Sequence, residues 1–190
     1  MAGSSTSFDL LDEAIQRFLW SAGWEQLHSA QEAAIPLILP ADRDVIIAAP
    51  TAAGKTEAAF LPALTRLRLD STPGLVVYIS PLKALINDQF SRLDRLCEQL
   101  EIPVWPWHGD IGASVKQRFL SEMHGVLLIT PESLEAQLCL RGTAIGRVFE
   151  RARYFVIDEL HAFIGTERGK QLQSLLHRLE RVIGRRVVRV

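Results

Sequence analysis

An α/β fold with a mostly parallel sheet and helices on both faces is predicted for this chain of 190 residues. From residue 45 onward, short apolar runs alternate with amphipathic segments, and such alternation implies right-handed crossovers between parallel strands. A small-residue loop follows one apolar run, and an acidic pair follows another. Because ligands of parallel sheets bind at the carboxyl ends of the strands, both features are expected at one edge of the sheet.

The predicted elements follow from the period of the apolar residues. Strands are predicted near 45–48, 75–79, 104–107, 126–129, 154–157 and 187–190, and helices near 55–68, 82–100, 114–122, 132–140 and 168–183. Two further helices precede the first strand. The first ends at Gly23, and the second is capped by Ser29, with Glu32 three residues later, and continues past Pro36.

The composition indicates one domain, since 190 residues with 48% hydrophobic content suffice for one core and not for two of ordinary size. The net charge of -1 argues against binding polyanions by bulk charge. Residues 1–140 carry 10 basic and 17 acidic side chains, whereas residues 141–190 carry 11 and 5. The basic final quarter has two interpretations of equal weight. It forms solvated helix faces, or it forms a surface that meets phosphates or an acidic partner.

The two cysteines, Cys97 and Cys139, form neither a disulfide pattern nor a metal-ligand spacing. The first residues lack a basic segment followed by an apolar core, and no apolar run approaches the ~18 residues that span a bilayer. A cytoplasmic protein without membrane contact is therefore expected.

The segment APTAAGKT, residues 49–56, joins a predicted strand to a predicted helix. Backbone N–H groups of such a loop can turn toward phosphates, the Lys55 ammonium can reach the outer phosphates, and the Thr56 hydroxyl can bind magnesium. Ala49 stands where the general phosphate-loop pattern has its first Gly. The alternative interpretation is a small-residue turn that ends in an exposed Lys.

Asp158 and Glu159 directly follow the apolar run at 154–157. Two adjacent carboxylates at the end of a buried strand are costly in free energy unless a cation meets them. Magnesium on a bound nucleotide is the candidate cation.

Four more segments at strand ends carry hydroxyls, backbone donors or a cation where phosphate oxygens can bind, and they span residues 80–85, 108–110, 130–134 and 165–169. Two of them have a second interpretation. Ser80-Pro81 and Thr130-Pro131 also fit a helix N-cap followed by Pro at the first helical position.

In these segments the chain resembles superfamily 2 DExH-box helicases. Gln31 resembles the Q-motif, and the later motifs appear in family order as APTAAGKT, SPLKAL, HGD, TPESL, DELH and GTERG. The DELH and PLKAL forms and the tail are most similar to the Lhr-like and Ski2-like branches. The resemblance runs from about residue 24 to the end and implies the first RecA-like, P-loop domain of an ATP-dependent helicase or translocase, with N-terminal helices over 1–40 and the RecA-like core over 41–190.

The resemblance also implies roles for single residues. Lys55 would bind the β- and γ-phosphates of ATP, while Thr56 and, through water, Asp158 would hold Mg²⁺. Glu159 would orient and deprotonate the attacking water, and Gln31 would read the adenine edge. The remaining ATP contacts would come from the loop residues Thr51, Ala52, Ala53 and Gly54. His161 would couple the ATP site to a second domain, with a satisfied core histidine as the alternative.

The resemblance places single-stranded or partly duplex DNA or RNA across Pro81, Lys83, Gly109, Thr130, Pro131 and Arg168, bound through sugar and phosphate. The chain departs from the family pattern at Ala52, where Gly is usual, and it ends at Val190, before motif III. In the family a second RecA-like domain with an arginine finger follows. We therefore expect a monomeric fragment of a longer parent protein, nearly inactive by itself.

Two other functions remain open at this point. One is a non-catalytic nucleic-acid-binding adaptor with a retained RecA-like fold. The intact set of Lys55, Thr56, Asp158 and Glu159 argues against it, because binding alone does not require that set. The other is a P-loop phosphotransferase, but nothing between residues 57 and 157 indicates an acceptor pocket or a basic lid.

Overall fold

The computed structural model describes residues 6–50 and 53–190. In chain order, the helices of this part are α1 Glu13–Ser21, α2 Ser29–Ile38, α3 Lys55–Leu69, α4 Lys83–Gln99, α5 Ala113–Glu122, α6 Pro131–Arg141, α7 Ile145–Phe149 and α8 Glu167–Ile183. The strands are β1 Leu75–Ile79, β2 Val104–Trp107, β3 Gly125–Ile129, β4 Ala152–Ile157 and β5 Val188–Arg189. Short 3₁₀ turns cover Phe8–Leu10, Gly142–Ala144 and Leu160–Ala162.

The strands form one parallel sheet in the order β2-β3-β1-β4-β5. At the carboxyl end of the central strand, Ile79 is in register with Ile129 of β3 and Ile157 of β4. The loops after these strands therefore leave the sheet side by side. This arrangement confirms the predicted α/β fold with a parallel sheet.

Alternate residues of each strand point to opposite faces of the sheet, and each face is covered by its own helices. On β1, Val76 and Tyr78 face a core built with α1 to α4, whereas Val77 and Ile79 face a second core built with α5 to α8. The helices α1 and α2 contribute fully buried side chains such as Ile15 to the first core. The predicted helices on both faces are thus confirmed.

The predicted buried strand at 45–48 is wrong. These residues lie beside β5 without regular secondary structure, and Ile46 is 79% exposed. Val45 N–H donates to Arg189 O, but the N–H of Arg189 donates to the Asp44 side chain at 3.0 Å instead of to a backbone carbonyl. A carboxylate therefore takes the acceptor position that a paired strand would supply, and no ladder forms at this point.

The predicted cap of α2 is also wrong. The helix begins at Ser29, and its N-cap is His28. The N–H of His28 donates to Gln31 Oε1 at 2.8 Å. The side chain at the third helical position thus supplies a hydrogen-bond acceptor for the backbone N–H of the N-cap residue. Helix α7 was not predicted, because five residues are too few to display a helical period.

No helix within residues 6–50 and 53–190 combines the length and apolar character needed to cross a bilayer.

Candidate nucleotide and nucleic-acid sites

The end of the phosphate-type loop is fixed by Gly54. This residue is the N-cap of α3 and has φ +73° and ψ 31°, a left-handed conformation that favours glycine. Lys55 and Thr56 follow as the first helical residues, as predicted. Thr51 and Ala52, which the sequence assigns to the same loop, lie outside the described residues.

The Lys55 ammonium folds back onto its own loop. Its Nζ donates to Ala49 O at 2.9 Å and to Pro50 O at 3.0 Å. Lysine offers three donor hydrogens, and these two carbonyl oxygens are acceptors that a phosphate can replace. These two hydrogen bonds therefore hold the Lys55 ammonium against the loop.

Gln31 packs against the loop from the N-terminal side and is fully buried. Its Oε1 accepts from His28 N–H, and its Nε2 donates to Gly54 O at 3.4 Å. A Cβ on Gly54 would lie only 2.3 Å from that Nε2. The amide predicted to read adenine thus also ties α2 to the start of α3.

Gln89, which lies within the helix predicted near 82–100, contacts the candidate nucleotide site and received no role from the sequence. It lies on α4 with 7% of its surface exposed, and its Nε2 donates to Thr56 Oγ1 at 3.4 Å. Within the described residues its buried Oε1 has no hydrogen-bond partner. A polar residue on the apolar face of a predicted helix is the signal that could have identified it.

Asp158 is the first residue after β4. Its N–H donates to Ile79 O at 2.9 Å, and its Oδ2 accepts from the Tyr78 hydroxyl at 2.5 Å. Burial, reinforced by the neighbouring carboxylate, raises the pKa of Tyr78 above its ordinary value. The hydroxyl therefore stays protonated and acts as the donor. Tyr78 was also missed from the sequence, where it was counted as a strand residue.

Glu159 and His161 lie at the surface beside this carboxylate. Glu159 adopts a left-handed conformation with φ +50°, and 41% of its side chain is exposed. His161 is 79% exposed, and its Nδ1 lies 3.2 Å from Glu159 Oε2. The alternative interpretation of His161 as a core histidine is therefore wrong.

Side-chain contacts connect the two predicted parts of the nucleotide site. The Tyr78 ring, whose hydroxyl binds Asp158, contacts Phe60 of α3 with 5.7 Å between ring centroids. The helix that starts at Lys55 and the Asp158 carboxylate thus share one buried neighbour. The Thr56 hydroxyl and the Asp158 carboxylate are oxygen donors of the kind that Mg²⁺ prefers when phosphates supply its other ligands. The residues present fit that ion.

Most of the predicted nucleic-acid residues lie together at the same edge of the sheet. A cavity of about 470 Å³ opens there, and it is lined by Pro81, Leu82, Lys83, Gly109, Thr130, Glu132, Ser133 and Ala136. Pro131 follows Thr130 at the start of α6. Arg168, on α8, donates to Pro81 O at 2.7 Å and so borders the same cavity.

Both cations of this cavity are paired with carboxylates. Lys83 Nζ lies 3.1 Å from Asp110, and its hydrogen bond lowers the pKa of that exposed carboxyl. Arg168 Nε donates to Glu132 at 2.7 Å. Partial burial is the largest single influence and opposes the ionisation of Glu132, yet the pKa of Glu132 is lowered, because the hydrogen bond and charge of Arg168 act together with hydrogen bonds from the Glu132 backbone and the Thr130 side chain. A polyanion that enters the cavity must compete with these two acids.

The two helix-cap interpretations have different outcomes. Thr130 caps α6, since its Oγ1 accepts from Ser133 N–H at 3.3 Å and Pro131 occupies the first helical position. Ser80 does not cap α4, which begins at Lys83 with Leu82 as its N-cap. The Ser80 hydroxyl is buried and contacts Leu82 O at 3.5 Å.

Comparison with known proteins identifies relatives along almost the whole chain. The family model of the DEAD/DEAH box helicase matches residues 28–188. The chain is 29% identical over 174 residues to the uncharacterized ATP-dependent helicase YprA of Bacillus subtilis. This alignment covers 90% of the chain and 23% of the relative. It is 30% identical over 159 residues to the ATP-dependent helicase Lhr-Core of Methanothermobacter thermautotrophicus, with 75% of the chain and 18% of the relative covered. The chain thus spans about a fifth of the length of these relatives.

Solved structures agree with this similarity. The helicase MrfA bound to DNA and AMPPNP superposes with a TM-score of 0.83 at 27% identity, covering 95% of this chain and 26% of that one. The Mycobacterium smegmatis helicase Lhr bound to ssDNA and AMP-PNP gives a TM-score of 0.81 at 29% identity, covering 96% and 24%. The RecA-like fold and the likeness to the Lhr-like and Ski2-like branches are thereby confirmed.

Proposed function

This chain belongs to the DEAD/DEAH box helicase family, and from that premise we propose that it is the ATP-binding domain of a nucleic-acid-dependent ATPase that acts as a helicase or translocase. The observation that carries the proposal is the shared neighbourhood of two motifs: the Asp158 carboxylate bonds Tyr78, and Tyr78 packs against the helix that starts at Lys55. This pairing of a phosphate-binding lysine with strand-end carboxylates is what phosphoryl transfer to water requires.

In this proposal Lys55 leaves the carbonyl oxygens of Ala49 and Pro50 and donates to the outer phosphates of ATP. Glu159 accepts a proton from the attacking water, and its exposed carboxylate lies 3.2 Å from His161 Nδ1. Thr56 and Asp158 are the oxygen donors that would hold Mg²⁺, which when bound neutralises charge on the phosphate oxygens.

In this proposal nucleic acid follows the cavity formed by the segments after β1, β2 and β3 and by the first turns of α6, with Arg168 at its border. Lys83 and Arg168 exchange their carboxylate partners for backbone phosphates, while Thr130 and Gly109 contribute a hydroxyl and close backbone approach. Contacts of this kind carry little sequence preference. DNA and RNA are both candidate ligands.

A second RecA-like domain in the parent protein completes the proposed site. Relatives more than four times as long as this chain support a parent of that size. Exposed His161 then faces that domain and couples it to Glu159. An arginine from the second domain would stabilise the transition state.

ATP turnover by the parent protein, measured with and without single-stranded DNA or RNA, tests the proposal. Turnover that nucleic acid stimulates supports a motor. Nucleic-acid binding without turnover would instead indicate an adaptor, and turnover that depends on a small acceptor would indicate a phosphotransferase. Lys55→Ala is the control, because residual turnover in that variant would come from a contaminating ATPase.

A further inference from the structure

Tyr78 lies on the central strand of the sheet with 2% of its surface exposed. Its hydroxyl donates to Asp158 Oδ2 at 2.5 Å, across 80 positions of sequence. Its ring contacts Phe60 of α3. One buried side chain therefore joins the carboxylate after β4 to the helix that follows the phosphate loop.

This hydrogen bond restricts how the carboxylate of Asp158 can turn. An Asp carboxylate rotates broadly about its last torsion unless a partner holds it. The Tyr78 ring is buried and cannot follow such a rotation, so the bond to Oδ2 restricts the range of orientations that the carboxylate and its second oxygen can adopt. Donors that hold metal-binding carboxylates in this way commonly set the affinity for the metal.

We propose that Tyr78 is a positioning residue, whose hydroxyl orients the Asp158 carboxylate toward the magnesium ion of bound Mg-nucleotide. This inference rests on the proposed function, since it assigns Asp158 to the metal. Tyr78 itself touches neither nucleotide nor ion in this role. Its effect is therefore expected in the dependence of nucleotide binding on Mg²⁺ and not in binding without the metal.

A merely structural role for the hydroxyl is the competing explanation, and Tyr154 supplies the matched control. Tyr154 is fully buried on the neighbouring strand β4, and its hydroxyl donates to Ile38 O at 3.0 Å. Tyr78→Phe and Tyr154→Phe each remove one buried hydroxyl from the same sheet. Only the first removes a donor to Asp158.

The test titrates a fluorescent ATP analogue into the 190-residue chain at a series of Mg²⁺ concentrations and in EDTA. Tyr78→Phe is expected to raise the Mg²⁺ concentration for half-maximal binding by about tenfold and to leave binding in EDTA unchanged. Tyr154→Phe should change neither value. An unchanged Mg²⁺ requirement in Tyr78→Phe, or equal losses with and without Mg²⁺, would overturn the inference.

A second measurement needs no substitution and so covers a variant that fails to fold. The chain contains two tyrosines, and ¹³C labelling of their ring carbons next to oxygen yields one signal for each. Addition of Mg²⁺ with the ATP analogue should shift the Tyr78 signal and leave that of Tyr154 in place. If neither signal moves while nucleotide binds, the inference is wrong. If the unsubstituted chain binds no nucleotide even with Mg²⁺, the proposed function fails first.

Discussion

At the residue scale, two constraints require glycine at position 54: a left-handed backbone conformation and the close approach of the Gln31 side chain. Its left-handed φ of +73° allows α3 to start directly after the loop, and the absent side chain leaves room for the Gln31 amide. Gly165 has nearly the same φ, +74°, but a Cβ built on it would have no described atom within 4 Å apart from those of Gly165 itself and its two chain neighbours. Substitution of Gly165 therefore tests backbone strain alone, whereas substitution of Gly54 tests backbone strain together with a clash against Gln31.

We predict that Gly54→Ala destabilises the chain more than Gly165→Ala does. Both substitutions cost about 1–2 kcal/mol for a left-handed alanine, and only the first forces a buried amide aside, which adds roughly 1–3 kcal/mol. Urea unfolding of both variants measures the difference. Equal losses of unfolding free energy would indicate that Gln31 moves freely and does not brace the loop.

Lys55 and Glu159 should divide binding from turnover. Lys55→Ala removes the cation that meets the phosphates, so nucleotide affinity should fall by about tenfold or more. Glu159→Gln keeps the size of the side chain and loses its basicity, so the parent protein should bind ATP nearly as before and lose turnover. Fluorescent-nucleotide titration and a turnover assay on both variants check this division. It would be refuted by the same loss of affinity in both.

At the scale of elements, the two threonine-capped helices α6 and α8 allow a cap to be separated from a binding role. Thr130 Oγ1 accepts from Ser133 N–H at 3.3 Å, and Thr166 Oγ1 accepts from Gly169 N–H at 3.0 Å. Both bonds satisfy a helix N-terminus. Thr130 lines the candidate nucleic-acid cavity, whereas Thr166 does not.

We predict that Thr130→Ala and Thr166→Ala each lower the free energy of unfolding by about 1 kcal/mol, the usual worth of such a cap. In the parent protein, only Thr130→Ala should also weaken binding of labelled single strands, by about fivefold, because it removes a donor to phosphate. Fluorescence anisotropy at fixed salt measures this. Equal affinities for the two variants would leave Thr130 with a capping role alone.

At the scale of the whole molecule, this chain has two cores, one on each face of a five-stranded sheet, and most of the proposed ATP contacts. In the proposed mechanism the transition-state arginine belongs to another domain. Such an arginine is worth ~10³ to 10⁵ in rate. In this mechanism the folded chain is therefore only one part of the active enzyme.

We predict that residues 1–190 alone fold as a monomer, bind ATP weakly and hydrolyse it at least ~10³-fold more slowly than the parent protein. Their affinity for single strands should be low and should fall steeply with salt, because phosphate contacts release counterions. Sedimentation, turnover and binding at two salt concentrations test these points. Nucleic-acid-stimulated turnover by the isolated chain at the parent rate would disprove the two-domain mechanism.

Local patterns were sufficient for most elements of the fold. The helical period of the segment at 82–100 and the apolar runs before Ser80 and Asp158 predicted α4, β1 and β4 because both signals are properties of neighbouring residues. The run at 45–48 carried the same signal and is no strand, because its pairing depends on Arg189, which lies about 140 positions later and donates its N–H to the Asp44 side chain instead.

The sequence by itself determined the parallel α/β fold and the order of the motif residues. Loops of small residues, apolar runs and the acidic residues that follow strands are each formed by residues adjacent in the sequence. The tertiary structure alone decided which side chains support them. Tyr78 reaches Asp158 across 80 positions and Gln89 reaches Thr56 across 33, because crossovers bring distant strands and helices to one edge of the sheet. No local period encodes such a contact.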